Sequence, residues 1–257
     1  MSSETLEEKY QDLLARLRSF ESVAVAFSGG VDSALLLHAA REALGERAIA
    51  VTTQSRLFPR RELDECNRFL ESHDRMNAAD RCYLCKTGLL QAVIDAANEC
   101  GVETVVEGSN VDDEGDYRPG SRAIAELGVF SPLKDAGLTK HDIRELSRDR
   151  GLPIWDKPSF ACLATRFAFG TCLSEEHLAM IDAAEQFLLD QGFHQVRVRY
   201  HGPVARVEVR ADEVERLALP ENTEAMERRF KEIGFERVSI DPDGYRTGNM
   251  NVASEDM

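Results

Sequence analysis

Apolar and polar residues follow two different rhythms along the chain, and the changes between them mark the elements. Residues 1–20 place apolar positions at helical spacing behind early acids, whereas residues 22–27 are a run of small and β-branched apolar residues suited to a buried parallel strand. The run is broken between Ser28 and Ser33 and resumes at 34–37 with alanines after it, which predicts a buried helix ended by Gly45. Further strands are expected over Ala48–Thr53 and Glu103–Glu107, with helices over 33–44, about 60–71, about 85–99 and 139–150. Such alternation predicts an α/β fold with a doubly wound parallel sheet, and a ligand crevice at the carboxyl edge of its strands. From about Ser174 the pattern changes to an amphipathic helix, two alternating strands, a helical stretch and a last strand, which reads as a smaller α+β subdomain. The expected division is residues 1–172 and 173–257.

The interruption itself, Ser28-Gly29-Gly30-Val31-Asp32-Ser33, carries the first chemistry. Glycines let backbone N–H groups face a ligand with no Cβ in the way, and a helix N-terminus favours an anion, so the break reads as a phosphate cradle. Neither GxxxxGK[ST] nor GxGxxG is present, which excludes a Walker A loop and the dinucleotide fingerprint. SGGxDS resembles the loop of the PP-loop ATP pyrophosphatases, which cut ATP between its α and β phosphates and adenylate a substrate. Asp32 reads either as an acid set against the helix dipole or as a group for ATP or Mg²⁺, and the second fits this setting better. The strand ends at Thr53 and at Gly108-Ser109-Asn110 open toward the same crevice.

Composition narrows the partners. The 257 residues suffice for two domains, and no apolar run approaches the roughly 20 residues that span a bilayer. No export signal is visible, so a cytoplasmic location is expected, with no membrane partner. A formal net charge of −15 disfavours a broad grip on nucleic acid, which needs clustered Lys and Arg. Asp112, Asp113, Asp116, Arg118 and Arg122 sit on a Gly/Pro-rich stretch that no core demands, a solvated acidic loop being the plainer reading. Residues 139–150 read as an ordinary helix with Thr139 as N-cap, and no chemistry is assigned to them.

Six cysteines in a reducing compartment do not suggest a disulfide framework. Cys82 and Cys85 form CxxC at a helix start, and Cys162 follows far along the chain. A CxxC alone could be a redox pair or half a zinc site, but two thiols from one turn plus a distant third suit an iron–sulfur cluster with one open iron. Arg81, Lys86 and Arg166 nearby in sequence would favour negative charge on sulfur. Cys66 and Cys100 fall on helices and read as small core residues, while Cys172 reads as a loop thiol.

Taken together, SGGVDS (28–33), RCYLCK (81–86), GSNVDDEGDYRPG (108–120), the stretch from Ser131 to Phe167 and DPDGYRTGNMN (241–251) resemble the LarE family over nearly the whole chain. That family comprises ATP-dependent sulfur transferases of the nickel-pincer nucleotide pathway. The resemblance implies that Ser28, Gly29, Gly30, Asp32, Ser33, Thr53 and Gly108 bind ATP with Mg²⁺, and that a carboxylate of pyridinium-3,5-biscarboxylic acid mononucleotide is adenylated. Sulfur then displaces AMP, and Cys162, Asp32 and Arg166 are the implied catalytic residues. Two sulfur sources occur in the family, a sacrificed cysteine and a [4Fe–4S] cluster on three cysteines. The presence of Cys82, Cys85 and Cys162 favours the cluster. Arg197 and Arg199 alternate on one strand face, where they would hold a substrate phosphate or carboxylate with Glu185 and Glu208, a solvated face being the alternative. Self-association and contact with other enzymes of the pathway are also expected.

The segment between Thr53 and Asn77 is short, with room for one helix and a loop but scarcely a further βα unit. Competing readings are a tRNA thiolase, which the charge disfavours, an amidating relative, which leaves the cysteines unexplained, and a non-catalytic nucleotide-binding protein.

Overall fold

The computed structural model describes residues 5–52, 81–115, 120–157, 162–168 and 170–246. These form two compact units, one of the described residues within 5–52, 81–115 and 120–157 and one of those within 162–168 and 170–246. Thr53, Cys66, Asp116, Arg118 and the helix expected over about 60–71 lie outside the described residues.

The first unit opens with helix α1 (Leu6–Arg18). Its start is fixed by a reciprocal capping box, with Glu8 N donating to Thr5 Oγ1 at 3.2 Å and Thr5 N to Glu8 Oε2 at 2.7 Å. Strand β1 (Val23–Ala26), helix α2 (Val31–Leu44) and strand β2 (Ala48–Val51) follow. Helix α3 (Arg81–Glu99) leads to strand β3 (Val105–Val106), helix α4 (Gly120–Glu126) and helix α5 (Lys140–Asp149).

The three strands form a parallel sheet in the order β2-β1-β3, with Val23 opposite Ala48 and Ala24 opposite Val105. Because successive side chains point to opposite faces, Val23 and Val25 pack with Leu13, Leu35, Leu36 and Ile143 of α1, α2 and α5. Ala24 packs instead with Leu90, Val93 and Ile124 of α3 and α4. Helices thus cover both faces of a parallel sheet, as the alternation of elements predicts. Each fully buried Leu on these faces contributes about 1.5–3 kcal/mol.

Two local expectations need correction. The third strand is two residues long, because from Glu107 onward the chain turns its polar groups into the crevice. A parallel bridge between Val106 and Phe130 extends that edge. Cys100 is exposed and not part of the core: α3 ends at Glu99, and Gly101, at φ 74°, turns the chain away before the buried stripe of Leu90, Val93 and Ala97 reaches it.

The second unit holds helix α6 (Glu175–Asp190), strands β4 (Arg197–His201) and β5 (Val204–Glu208), helix α7 (Pro220–Ile233) and strand β6 (Arg237–Ile240). The sheet order is β4-β5-β6; the first pair is an antiparallel hairpin and the second is parallel. Val198, Ala205 and Val207 face Ile181, Leu188 and Phe230 of the two helices. Among the described residues no helix is long and apolar enough to cross a membrane.

Candidate functional site

The turn from β1 into α2 starts with Gly29 at φ 73°, a left-handed conformation that other residues rarely adopt. Gly30 is the N-cap of α2 and gives the helix no side-chain cap. The two serines of the loop close on each other, with Ser28 Oγ and Ser33 Oγ 3.2 Å apart and Ser33 Oγ donating to the Gly30 carbonyl at 3.0 Å. Gly108, at the end of β3, lies so close to this turn that an added Cβ would stand 3.1 Å from Ser33 N and 3.2 Å from Asp32 Cβ. The turn and the β3 end are thus one surface, and glycine is what permits the approach.

Asp32, in the first turn of α2, is held from two sides. Asn110 Nδ2 donates to its Oδ1 at 3.2 Å, and Lys140 Nζ forms an ion pair with its Oδ2. Asn110 is buried and itself locked, its N–H donating to Asp113 Oδ2 and its Oδ1 accepting from Asp112 N, both at 3.0 Å. Asp112 also accepts from Lys140 N at 2.8 Å. Asp112 and Asp113 therefore organise the crevice wall and are more than a solvated loop. Lys157 Nζ donates to the Gly29 carbonyl at 3.0 Å, which brings a second ammonium to the glycine turn.

Lys140 belongs to the helix to which the sequence assigned no chemistry. Thr139 does cap that helix, accepting from Asp142 N at 3.2 Å, but the next residue reaches the phosphate loop. A cap followed by a lysine is too common a pattern to reveal this. Lys157 and Glu107 were missed for the same reason, whereas Asn110 stands at the strand end expected to open toward the crevice.

Cys82 and Cys85 are both exposed in the first turns of α3, one helical turn apart, as the CxxC spacing implies. Tyr83 between them is fastened to α4: its hydroxyl donates to Glu126 at 2.5 Å and the Arg122 guanidinium lies 3.7 Å over its ring. Hydrogen bonding of Arg122 to Tyr83, opposed by burial and helped by the Glu126 carboxylate 3.0 Å from its Nε, raises Arg122 above the ordinary arginine value.

In the second unit Cys162 is exposed, and its carbonyl accepts from Thr165 N at 2.9 Å, Thr165 Oγ1 at 2.8 Å and Arg166 Nη1 at 3.1 Å. Arg166 is buried and gives its fork to Glu185, Nε and Nη2 each donating at 2.8 Å. Glu185 Oε1 also accepts from Val198 N at 2.9 Å. Arg199 donates to Glu208 Oε2 at 2.7 Å and to the Thr165 carbonyl at 3.1 Å. All five charged side chains are buried, so the solvated strand face is not what the structure has. Arg197 Nη1 donates to the Val196 carbonyl at 2.7 Å. Arg199 Nε is buried with no hydrogen-bond partner among the described residues. Burial, and then the charge of Arg166, push Arg197 below its ordinary value, which still leaves it protonated at neutral pH. The Arg199 Nε donor suits a phosphate or carboxylate.

The terminal motif seats this group. Tyr245 N donates to the Val209 carbonyl at 2.7 Å, Asp243 N donates to the buried Asp241 at 3.0 Å, and the Tyr245 ring lies 5.2 Å from the Arg197 guanidinium carbon. Gly244 has φ 70°, and an added Cβ would stand 2.7 Å from the Val209 carbonyl oxygen.

For the implied metal groups, among the described residues no three His, Cys, Asp or Glu side chains gather so that they could hold an ion. The donor chemistry nevertheless fits in part: two exposed thiols one turn apart suit a cluster edge, and a single acid beside a phosphate loop suits Mg²⁺, which takes one or two carboxylates and completes its shell with phosphates and water.

A glycine turn joining a parallel strand to a helix, at the carboxyl edge of a sheet covered on both faces, defines the class: an α/β protein built around a strand–turn–helix loop. The chain is 34% identical over 264 residues to the pyridinium-3,5-bisthiocarboxylic acid mononucleotide synthase of Lactiplantibacillus plantarum, covering 96% of this chain and 95% of that one. It is 33% identical over 262 residues to an uncharacterized protein of Synechocystis, covering 96% and 98%. A more distant match, 26% over 160 residues, is to the argininosuccinate synthase of Natronomonas pharaonis, covering 51% of this chain and 40% of that one. No protein-family model matches the chain. At this identity over nearly the full length of both chains, the protein belongs to the LarE family.

Proposed function

We propose that this protein is an ATP-dependent sulfur transferase that converts the carboxylates of pyridinium-3,5-biscarboxylic acid mononucleotide to thiocarboxylates, for the nickel-pincer cofactor. The observation that carries the reading is the likeness to the Lactiplantibacillus synthase over 96% of the chain, with the glycine turn and the buried arginine group both among the residues concerned.

A carboxylate is a poor electrophile, and adenylation replaces an oxide leaving group by AMP. The substrate carboxylate oxygen attacks the α-phosphorus of ATP, the bond to the β-phosphate oxygen breaks, and pyrophosphate leaves. The backbone N–H groups around Gly29 and Gly30 and the start of α2 receive the phosphates. Lys157 and Lys140 add positive charge there, the second by exchanging its Asp32 partner for nucleotide phosphate. Asp32 would then hold Mg²⁺, whose charge offsets that of pyrophosphate. In the second step a C–S bond forms at the acyl carbon as the C–O bond to AMP breaks. Cys82, Cys85 and Cys162 would hold the [4Fe–4S] cluster, which when bound supplies a sulfide nucleophile. Arg197 and Arg199 bind the substrate phosphate or a carboxylate, while Glu185 and Glu208 fix the arginines. Arg166, through the Cys162 carbonyl, sets where that cysteine stands. The protein works in the cytoplasm, as a self-associated enzyme without nucleic acid.

The test is pyrophosphate and AMP formation with ATP, Mg²⁺ and the pyridinium dicarboxylate. Release that requires the pyridinium compound supports the reading. Nucleotide binding with no such release contradicts it and favours a non-catalytic binding protein.

A further inference from the structure

Glu107 is a buried carboxylate outside every motif discussed above, and it is the hub of a small network. Its Oε1 accepts from Ser109 N at 3.0 Å and from Ser131 Oγ at 2.6 Å, while its Oε2 accepts from Lys86 Nζ at 3.1 Å. Ser109 and Ser131 flank the β3 end, whereas Lys86 sits on α3 immediately after Cys85. Lys86 is also confined from the other side: a Cβ on Gly120 would meet its Cδ at 3.1 Å and the Cys82 carbonyl at 3.5 Å. The residue after Glu107 is Gly108, whose backbone lies against Ser33 and Asp32. One strand end therefore touches the phosphate loop with one residue and grips the CxxC helix with the preceding one.

We propose that Glu107 is a positioning residue for sulfur transfer, fixing Lys86 and with it the Cys82–Cys85 turn in register with the nucleotide loop. Three donors converging on a buried carboxylate give it a single orientation, so the two active turns keep their spacing while pyrophosphate leaves and sulfur enters. The assignment rests on the functional reading above, since it divides that reaction into its two halves.

Glu107→Gln is the informative change, because the amide oxygen can still accept from Ser109 and Ser131 while the amide nitrogen faces the Lys86 ammonium. Lys86→Met breaks the same link from its more exposed side and leaves the Glu107 bonds from Ser109 and Ser131 in place. In each variant two rates are measured with ATP and the pyridinium dicarboxylate: pyrophosphate release and the appearance of thiocarboxylate. The expected result is pyrophosphate release within about twofold of the wild type and thiocarboxylate reduced at least about tenfold, the double variant being no worse than either single one, as for residues acting as one unit. An equal fall in both rates, or in neither, overturns the assignment. A readout independent of the reaction is alkylation of Cys82 and Cys85 by iodoacetamide. Both variants should alkylate several-fold faster than the wild type, and unchanged rates overturn the assignment. If the wild type releases no pyrophosphate, it is the functional reading that fails, and the alkylation rates still decide the role of Glu107.

Discussion

Arg166 and Glu185 meet through two parallel hydrogen bonds of 2.8 Å in a nearly dry setting, and the same arginine donates to the Cys162 carbonyl at 3.1 Å. The pair ties the cysteine-bearing turn to α6, and through Glu185 to the β4 backbone at Val198. Removing one partner of a buried pair leaves the other charge without compensation. Glu185→Gln should cost about 3–5 kcal/mol of unfolding free energy in urea denaturation. A loss under about 1 kcal/mol would mean that water replaces the carboxylate, and that the pair does not anchor Cys162.

Gly108→Ala places a methyl group against backbone atoms of Ser33, which cannot move aside as a side chain could. Isothermal titration with ATP should show affinity weakened about tenfold, roughly 1.4 kcal/mol, with thermal stability little changed. Wild-type affinity in the variant would detach the β3 end from the nucleotide site.

Gly244→Ala combines a φ of 70° with a contact to the Val209 carbonyl, so the turn carrying Tyr245 must shift. The expected result is a loss of about 1–3 kcal/mol in stability together with a raised KM for the pyridinium substrate at nearly unchanged kcat. Tyr245→Phe, which keeps the ring beside Arg197, should retain the wild-type KM. A KM unaffected by either change would confine the terminal motif to packing.

Asp142 links α5 to α1, accepting from Lys9 Nζ at 2.7 Å. Burial pushes its carboxyl upward, but the bonds from Lys9 and Thr139 outweigh this and hold it below the ordinary value of 3.8. A carboxyl lowered by folding contributes stability that is present above its unfolded value and is lost as pH falls through the folded one. The stability difference between wild type and Asp142→Asn should therefore be constant near neutrality and shrink below about pH 4. A difference that persists undiminished to lower pH would contradict the role given to this pair.

The sequence revealed the elements whose pattern is local. The SGGVDS break between an apolar run and a helix specified the β1–α2 turn, and Thr139 announced the cap of α5. The alternation of Arg197 and Arg199 pointed to one strand face, although it could not show that the face is buried against Glu185 and Glu208. What stayed hidden depends on pairings distant along the chain. Lys140 meets Asp32, and Lys86 meets Glu107, only because parallel strands bring their carboxyl ends together. Cys100 was misplaced because the helical rhythm continues one residue past the point where Gly101 ends the helix.

The account stands most directly on the product of one incubation: anaerobically purified protein with ATP, Mg²⁺, a sulfide source and pyridinium-3,5-biscarboxylic acid mononucleotide, followed by mass spectrometry of the small molecule. The predicted result is a product in which sulfur has replaced oxygen at one carboxylate and then at both, absent when ATP is omitted and absent in Asp32→Asn. A mononucleotide recovered unchanged, from protein that binds ATP and retains its cysteines reduced, would contradict it.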